Sequence, residues 1–217
     1  MWAVVFGILA FSLHLLAYGM YAQQVFAEKV KPNVATWFMW LFGGIVEWQT
    51  YDHMTDSHWS TSLLPLACVL GLVAITSATF FSQVRERRRG TGRVIYHKPK
   101  IQDWAFVSFD AVALAIWLWF DLAEMANAIA VGTTIVTFIP IWRTTWQEPE
   151  SERPTMWIIW CVAYACMFIS VLLRDTDNIL WQSFYPIYFF ALHAVVAVLA
   201  FRAIYPRQHK VQPMPAE

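Results

Sequence analysis

The chain has 217 residues, of which 59% are hydrophobic and only 14% charged, with 13 Trp, 16 Phe and a formal net charge of zero. A soluble domain carries about a quarter charged residues, so this composition excludes an ordinary globular protein and indicates one whose first partner is a lipid bilayer. Zero net charge gives no basic surface for nucleic acid.

A helix needs about 20 apolar residues to cross the hydrocarbon core, and seven segments fit: 2–26, 34–54, 60–82, 103–121, 124–146, 155–173 and 180–202. The first segment has no basic residue before Lys29, so it reads as a retained helix rather than a signal peptide. Between the fourth and fifth segments "WFDLAEMANA" must hold a tight turn without glycine or proline. Cys68, Cys161 and Cys166 lie inside apolar segments and lack CxxC spacing, which points to buried small side chains and to neither a disulfide framework nor a metal site.

Seven spans put alternate loops on opposite sides. Lys29, Lys31, the run Arg85 to Lys100, Arg143, Arg153, Arg202, Arg207 and Lys210 then share one side, and Arg174 stands alone on the other. The positive-inside rule makes the crowded side cytoplasmic, with the N-terminus outside and the C-terminus inside. Trp2, Trp59, Trp104, Trp119 and Trp181 fall near the expected interfaces, as an aromatic belt does.

Shifting the chain by 120 residues lays Trp37 on Trp157 and Trp40 on Trp160, and a shift of 121 lays Pro65 on Pro186. Three spans end on the side opposite their start, so two such units in one orientation need an extra crossing between them. The expected fold is therefore all-α and polytopic, two parallel triple-helix bundles in a 3+1+3 order. Its parts are a first repeat at 1–82, a basic cytoplasmic linker at 83–102, a linker helix at 103–121, a second repeat at 122–203 and a cytoplasmic tail at 204–217.

"FIPIWRTTWQEPESERPTMW", read as closing the fifth helix and opening the sixth, and "VEWQTY" in the second helix resemble the PQ-loop and SWEET type of membrane protein. The opening "KPN…TWxxW" is similar to that of a group of uncharacterised bacterial membrane proteins. The abundance of tryptophan is similar to that of the PnuC type of vitamin transporter. What the resemblance implies is a solute path between two bundles, a binding site near the midplane and a setting in a bacterial inner membrane. SWEET sugar sites have an asparagine in the third and seventh helices; this chain has none in the third and only Asn178 at the edge of the seventh, which argues against a sugar.

Ionisable groups at membrane depth are costly and are functional candidates. Glu47 could couple protons, or pair with an outer-face group such as His53; Asp110 could bond between helices. His14 and His193 each lie about 20 Å from the outer end of their helix at 1.5 Å per residue, a common depth. Two histidines at one depth could ligate haem iron, or bond between helices. Interface anchoring is the competing account of Trp37, Trp40, Trp157 and Trp160.

The chain has no GxSxG, HExxH, P-loop or dinucleotide fingerprint and no lysine in the last span for a retinal Schiff base, so it is not expected to be an enzyme. The expected function is transport of a small uncharged or aromatic solute, with Trp40, Glu47, Trp48, Thr134, Trp160 and His193 as substrate-binding residues. The alternative is a non-transporting subunit that binds haem through His14 and His193 or docks partner proteins, including further copies of itself.

Overall fold

The structure is a computed structural model that describes residues 1–27, 34–55, 58–89, 101–174 and 176–204. Among the described residues the chain is helical, with α1 Trp2–Phe26, α2 Val34–Met54, α3 Trp59–Arg89, α4 Ile101–Phe120, α5 Ala123–Gln147, α6 Pro154–Leu172 and α7 Ile179–Phe201. Residues 90–100 of the basic linker, and Lys29, Lys31, Asp56, Asp175, Arg207 and Lys210, on which the expected orientation leans, lie outside the described residues.

Five of these helices are long and apolar enough to cross a membrane: α1, α3 over Trp59–Ser82, α5, α6 and α7. α2 is less apolar, carrying Glu47 and Asp52 among Trp, Thr, Gln and Tyr, and in α4 the described apolar stretch is Ser108–Phe120. The outward faces are apolar, with Leu16, Phe81, Val198 and Leu180 from 52% to 83% exposed. The inward faces hold His14, Glu47, Thr50, Asp110 and Asn127, all at 4% or less. That distribution, apolar outside and polar within, suits a lipid surround and fits an integral membrane protein. The five belt tryptophans are exposed, from 47% at Trp181 to 79% at Trp119.

Local chemistry explains the boundaries. The α4–α5 turn occurs where expected: Asp121 takes a left-handed conformation, φ 54°, which a short polar side chain tolerates, and its N–H donates to Trp117 O at 2.8 Å. Pro154 begins α6, where a missing N–H costs nothing. Pro140 stands inside α5 and the helix runs on to Gln147, one residue beyond the expected end at 146. α3 likewise continues to Arg89, into the first part of the expected linker.

The interruption of α5 comes earlier, at Thr134, between helical segments Ala123–Thr133 and Ile135–Gln147. The cause is local: Gly132 is followed by five β-branched residues, Thr133 to Thr137, all weak helix formers. Thr134 N–H donates to Val131 O at 3.2 Å and Thr137 N–H to Thr134 O at 3.0 Å, the tighter spacing of a 3₁₀ turn.

In the first half α3 packs on both α1 and α2; in the second, α7 packs on both α5 and α6. The halves meet where α1 packs on α6 and α2 on α5, and α4 packs on α2 and α5. Each of these cross-contacts becomes the other when the first half is shifted onto the second. Close approach is built in where α1 meets α3: all three nearest neighbours of a Cβ placed on Gly71 would be atoms of the Tyr18 ring.

Candidate functional site

Glu47 is 4% exposed and faces the α5 break. Thr134 Oγ1 lies 2.9 Å from Glu47 Oε1 and 3.0 Å from Ala130 O, so its single proton serves the carboxylate or the backbone. Asn127 Nδ2 ties the same two helices together, donating to Glu47 O at 3.1 Å and to Thr50 Oγ1 at 3.0 Å. The expected pairing of Glu47 with His53 does not occur. His53 is half exposed and its Nε2 lies 3.3 Å from Asp121 Oδ1, because it sits a turn and a half further along α2, at the exposed α4–α5 corner.

The four repeat tryptophans are interior residues, not interface anchors. Trp37, Trp157 and Trp160 are 6%, 3% and 2% exposed and Trp40 packs against the same core. Trp37–Trp40 and Trp157–Trp160 are T-shaped pairs with centroids 5.1 and 5.0 Å apart and interplanar angles of 65° and 64°. The repeat is thus reproduced in ring geometry as well as in spacing. Edge-to-face packing is favoured because the ring edge is positive and the face negative.

His14 and His193 come closer to one another than helices of separate bundles require. His14 rests on Tyr164 and Trp160 with centroids at 5.2 and 6.3 Å, and His193 on the same rings at 5.0 and 5.6 Å. His193 Nδ1 lies 2.8 Å from Phe189 O; a carbonyl only accepts, so Nδ1 carries a proton. In the neutral ring Nε2 is then an acceptor. Neither nitrogen of His14 has a hydrogen-bond partner among the described residues, and Trp40 Nε1, Trp160 Nε1 and the Tyr185 hydroxyl are buried in the same condition.

Glu47, Thr134, Trp40, Tyr164 and His193 line a cavity of about 40 Å³. One water needs about 10–15 Å³ on that measure, so the space suits about three waters or one small molecular group. Its walls come from six helices, three in each half, and α4 contributes nothing. Tyr18 and Phe138 face it from equivalent positions, 120 residues apart, as do Gly44 and Tyr164. Cys68 and Phe189, and Leu72 and His193, are equivalent at a shift of 121. The last three wall residues, Trp40, Glu47 and Thr134, correspond to Trp160, Met167 and His14. The positions are symmetric and the chemistry is not: rings and hydroxyls come from both halves, the carboxylate and the thiol from the first, and the imidazole from the second.

Four of the six expected binding residues therefore line one space: Trp40, Glu47, Thr134 and His193. Trp160 stands against the His193 ring without lining the cavity, and Trp48, partly buried on α2, does not reach it. Asp110 is buried, but neither of its oxygens makes the expected interhelical bond among the described residues. Tyr18, Gly44, Cys68, Phe138, Tyr164 and Phe189 were not singled out by the sequence, although the 120-residue shift relates most of them pairwise. Haem does not fit: the two histidines share Tyr164 and Trp160 as neighbours, and the space beside them is far smaller than a porphyrin. Among the described residues no group of three or more His, Cys, Asp or Glu could hold a metal ion.

The chain matches no family model, no curated protein and no solved structure. The assignment of a site therefore rests on the geometry alone. That geometry offers one carboxylate, one imidazole acceptor and several aromatic rings around one concave space, a setting for binding and orienting a small solute.

Proposed function

We propose that the chain is a transporter of a small uncharged or aromatic solute, which moves between two parallel triple-helix units of the SWEET and PQ-loop kind. In this reading all seven helices cross the membrane, with the N-terminus outside and the C-terminus inside. The bacterial inner membrane is the setting that the resemblance implies. The observation that carries the proposal is the cavity wall: it draws on three helices of each half at positions related by the repeat, as a path along a pseudo-twofold axis requires. The interruption of α5 beside Glu47 adds support, since breaks in spanning helices are tolerated where they line a cavity.

The test is uptake of a panel of labelled small solutes by proteoliposomes. Active wild type with at least ten-fold slower uptake in both Trp40→Leu and Trp160→Leu supports the path. Unchanged uptake in both variants removes the site, and uptake no faster than in protein-free vesicles across the panel removes transport.

A further inference from the structure

The wall of the cavity has a definite electrostatic sign. Among its residues Glu47 is the one carboxylic acid, and no lysine or arginine lines the space. The hydrogen-bonding capacity has the same bias. The Tyr18 hydroxyl is engaged with Cys68 Sγ at 3.3 Å, the Thr134 hydroxyl with Glu47 or Ala130, and His193 Nδ1–H with Phe189 O. What remains is two acceptors, the second carboxylate oxygen of Glu47 and Nε2 of His193, against one donor, the unpartnered Trp40 Nε1–H.

The rest of the surround is aromatic. Trp40 and Phe138 are stacked with centroids 5.6 Å apart at 24°, and Tyr164 and Phe189 at 5.4 Å and 11°. The face of an aromatic ring attracts a cation within about 6 Å, most strongly when the pair is desolvated. An anion would meet both the carboxylate and the ring faces repulsively. A sugar would find few free donors for its hydroxyl oxygens. A methylated ammonium group, diffuse in charge and apolar at its surface, meets a carboxyl group on one side and aromatic rings on the others, and its size is that of the cavity.

We propose that the cavity receives the cationic head of a small organic ammonium compound, with Glu47 as counter-ion and Trp40, Phe138 and Tyr164 as the surrounding rings. The proposal rests on the reading of this cavity as the solute site and names the class of solute. The experiment is equilibrium dialysis of labelled tetramethylammonium against the full chain in lipid nanodiscs, with tert-butanol, an uncharged molecule of similar shape, as competitor. The expected result is saturable binding of one cation per chain, no competition by a hundred-fold excess of tert-butanol, and at least ten-fold weaker binding in Glu47→Gln. Glu47→Gln keeps an acceptor for Thr134, and an unchanged unfolding temperature confirms its fold. Asp110→Asn, a buried carboxylate outside the cavity wall, should change affinity less than three-fold.

Absence of saturable binding to the wild type, or undiminished binding to Glu47→Gln, overturns the proposal. Equal competition by tert-butanol, with binding of both probes lowered by Trp40→Leu, overturns the cation while leaving the cavity a solute site. Solute flux in proteoliposomes is read separately, so a failure of transport is distinguishable from a failure of charge selectivity.

Discussion

Replacing Gly71 by alanine tests whether the Tyr18 ring is held as tightly as the structure indicates. The added methyl would enter the ring itself, and the ring has little freedom to yield. It packs edge-on against His14 and Trp160, both at 5.2 Å, lies 6.5 Å from Trp37, and its hydroxyl is 3.3 Å from Cys68 Sγ. Alanine in a helix interior gains about 0.5–1 kcal/mol over glycine. Overpacking costs about 1–3 kcal/mol, and each aromatic pair lost costs about 0.5–1.5 kcal/mol more. The net expectation for Gly71→Ala is a loss of about 1–3 kcal/mol once these opposing effects are combined. Gly19, the residue after Tyr18, supplies the control because nothing lies within 4 Å of its added Cβ; Gly19→Ala should be stabilised by about 0.5–1 kcal/mol. Unfolding followed by tryptophan fluorescence in one detergent reads both variants. A Gly71→Ala protein as stable as Gly19→Ala would refute the packing of Tyr18, and with it this wall of the cavity.

Further outcomes follow from other parts of the molecule. Glu152, between α5 and α6, accepts a hydrogen bond from Trp157 Nε1 at 3.0 Å, and burial outweighs that bond to push its carboxyl from 4.5 up to about 7. The folded chain holds this proton more tightly than the unfolded one, so the contribution to stability is complete below about pH 4.5 and disappears as pH rises through about 7. Unfolding temperatures recorded across that window should fall with pH in the wild type and fall less in Glu152→Gln; parallel curves would contradict the assignment. Tyr188→Phe removes the hydroxyl that donates to Gly132 O at 2.8 Å beside the α5 break. Interhelical bonds in membranes average about 0.6 kcal/mol and reach about 1.7, so a loss in that range is expected in denaturant unfolding, and none would mean that the break is held by other contacts. Thr134→Val should lower solute uptake at least five-fold by releasing Glu47 Oε1, whereas Trp48→Leu, remote from the cavity wall, should leave uptake within two-fold of wild type.

Much of the architecture is legible in the sequence because it depends on short-range physics. Apolar length marks the helices, proline marks the start of α6, and the turn at Asp121 lies where a 44-residue apolar run is too long for one crossing. The tryptophan pairs disclosed the duplication. Carried through every helix, the same shift would also have paired Tyr18 with Phe138 and Gly44 with Tyr164, since side chains at equivalent depths on related helices face a common axis. The break at Thr134 had its own signal in five consecutive β-branched residues after a glycine.

Spacing along the chain could not say which way a side chain points between helices. Glu47 could equally have reached His53; only the packing of α2 on α5 brings it to Thr134, 87 residues away. The tryptophans near helix ends had the composition of an interface belt, and their burial depends on α1 packing on α6. Sequence alone thus determined the helices and their apolar surface, because hydropathy acts within a segment. Tertiary structure decided the cavity: it joined Glu47 and Trp40 of one half to Thr134, Tyr164 and His193 of the other, because a carboxylate and an imidazole acquire common chemistry only through contact between distant helices.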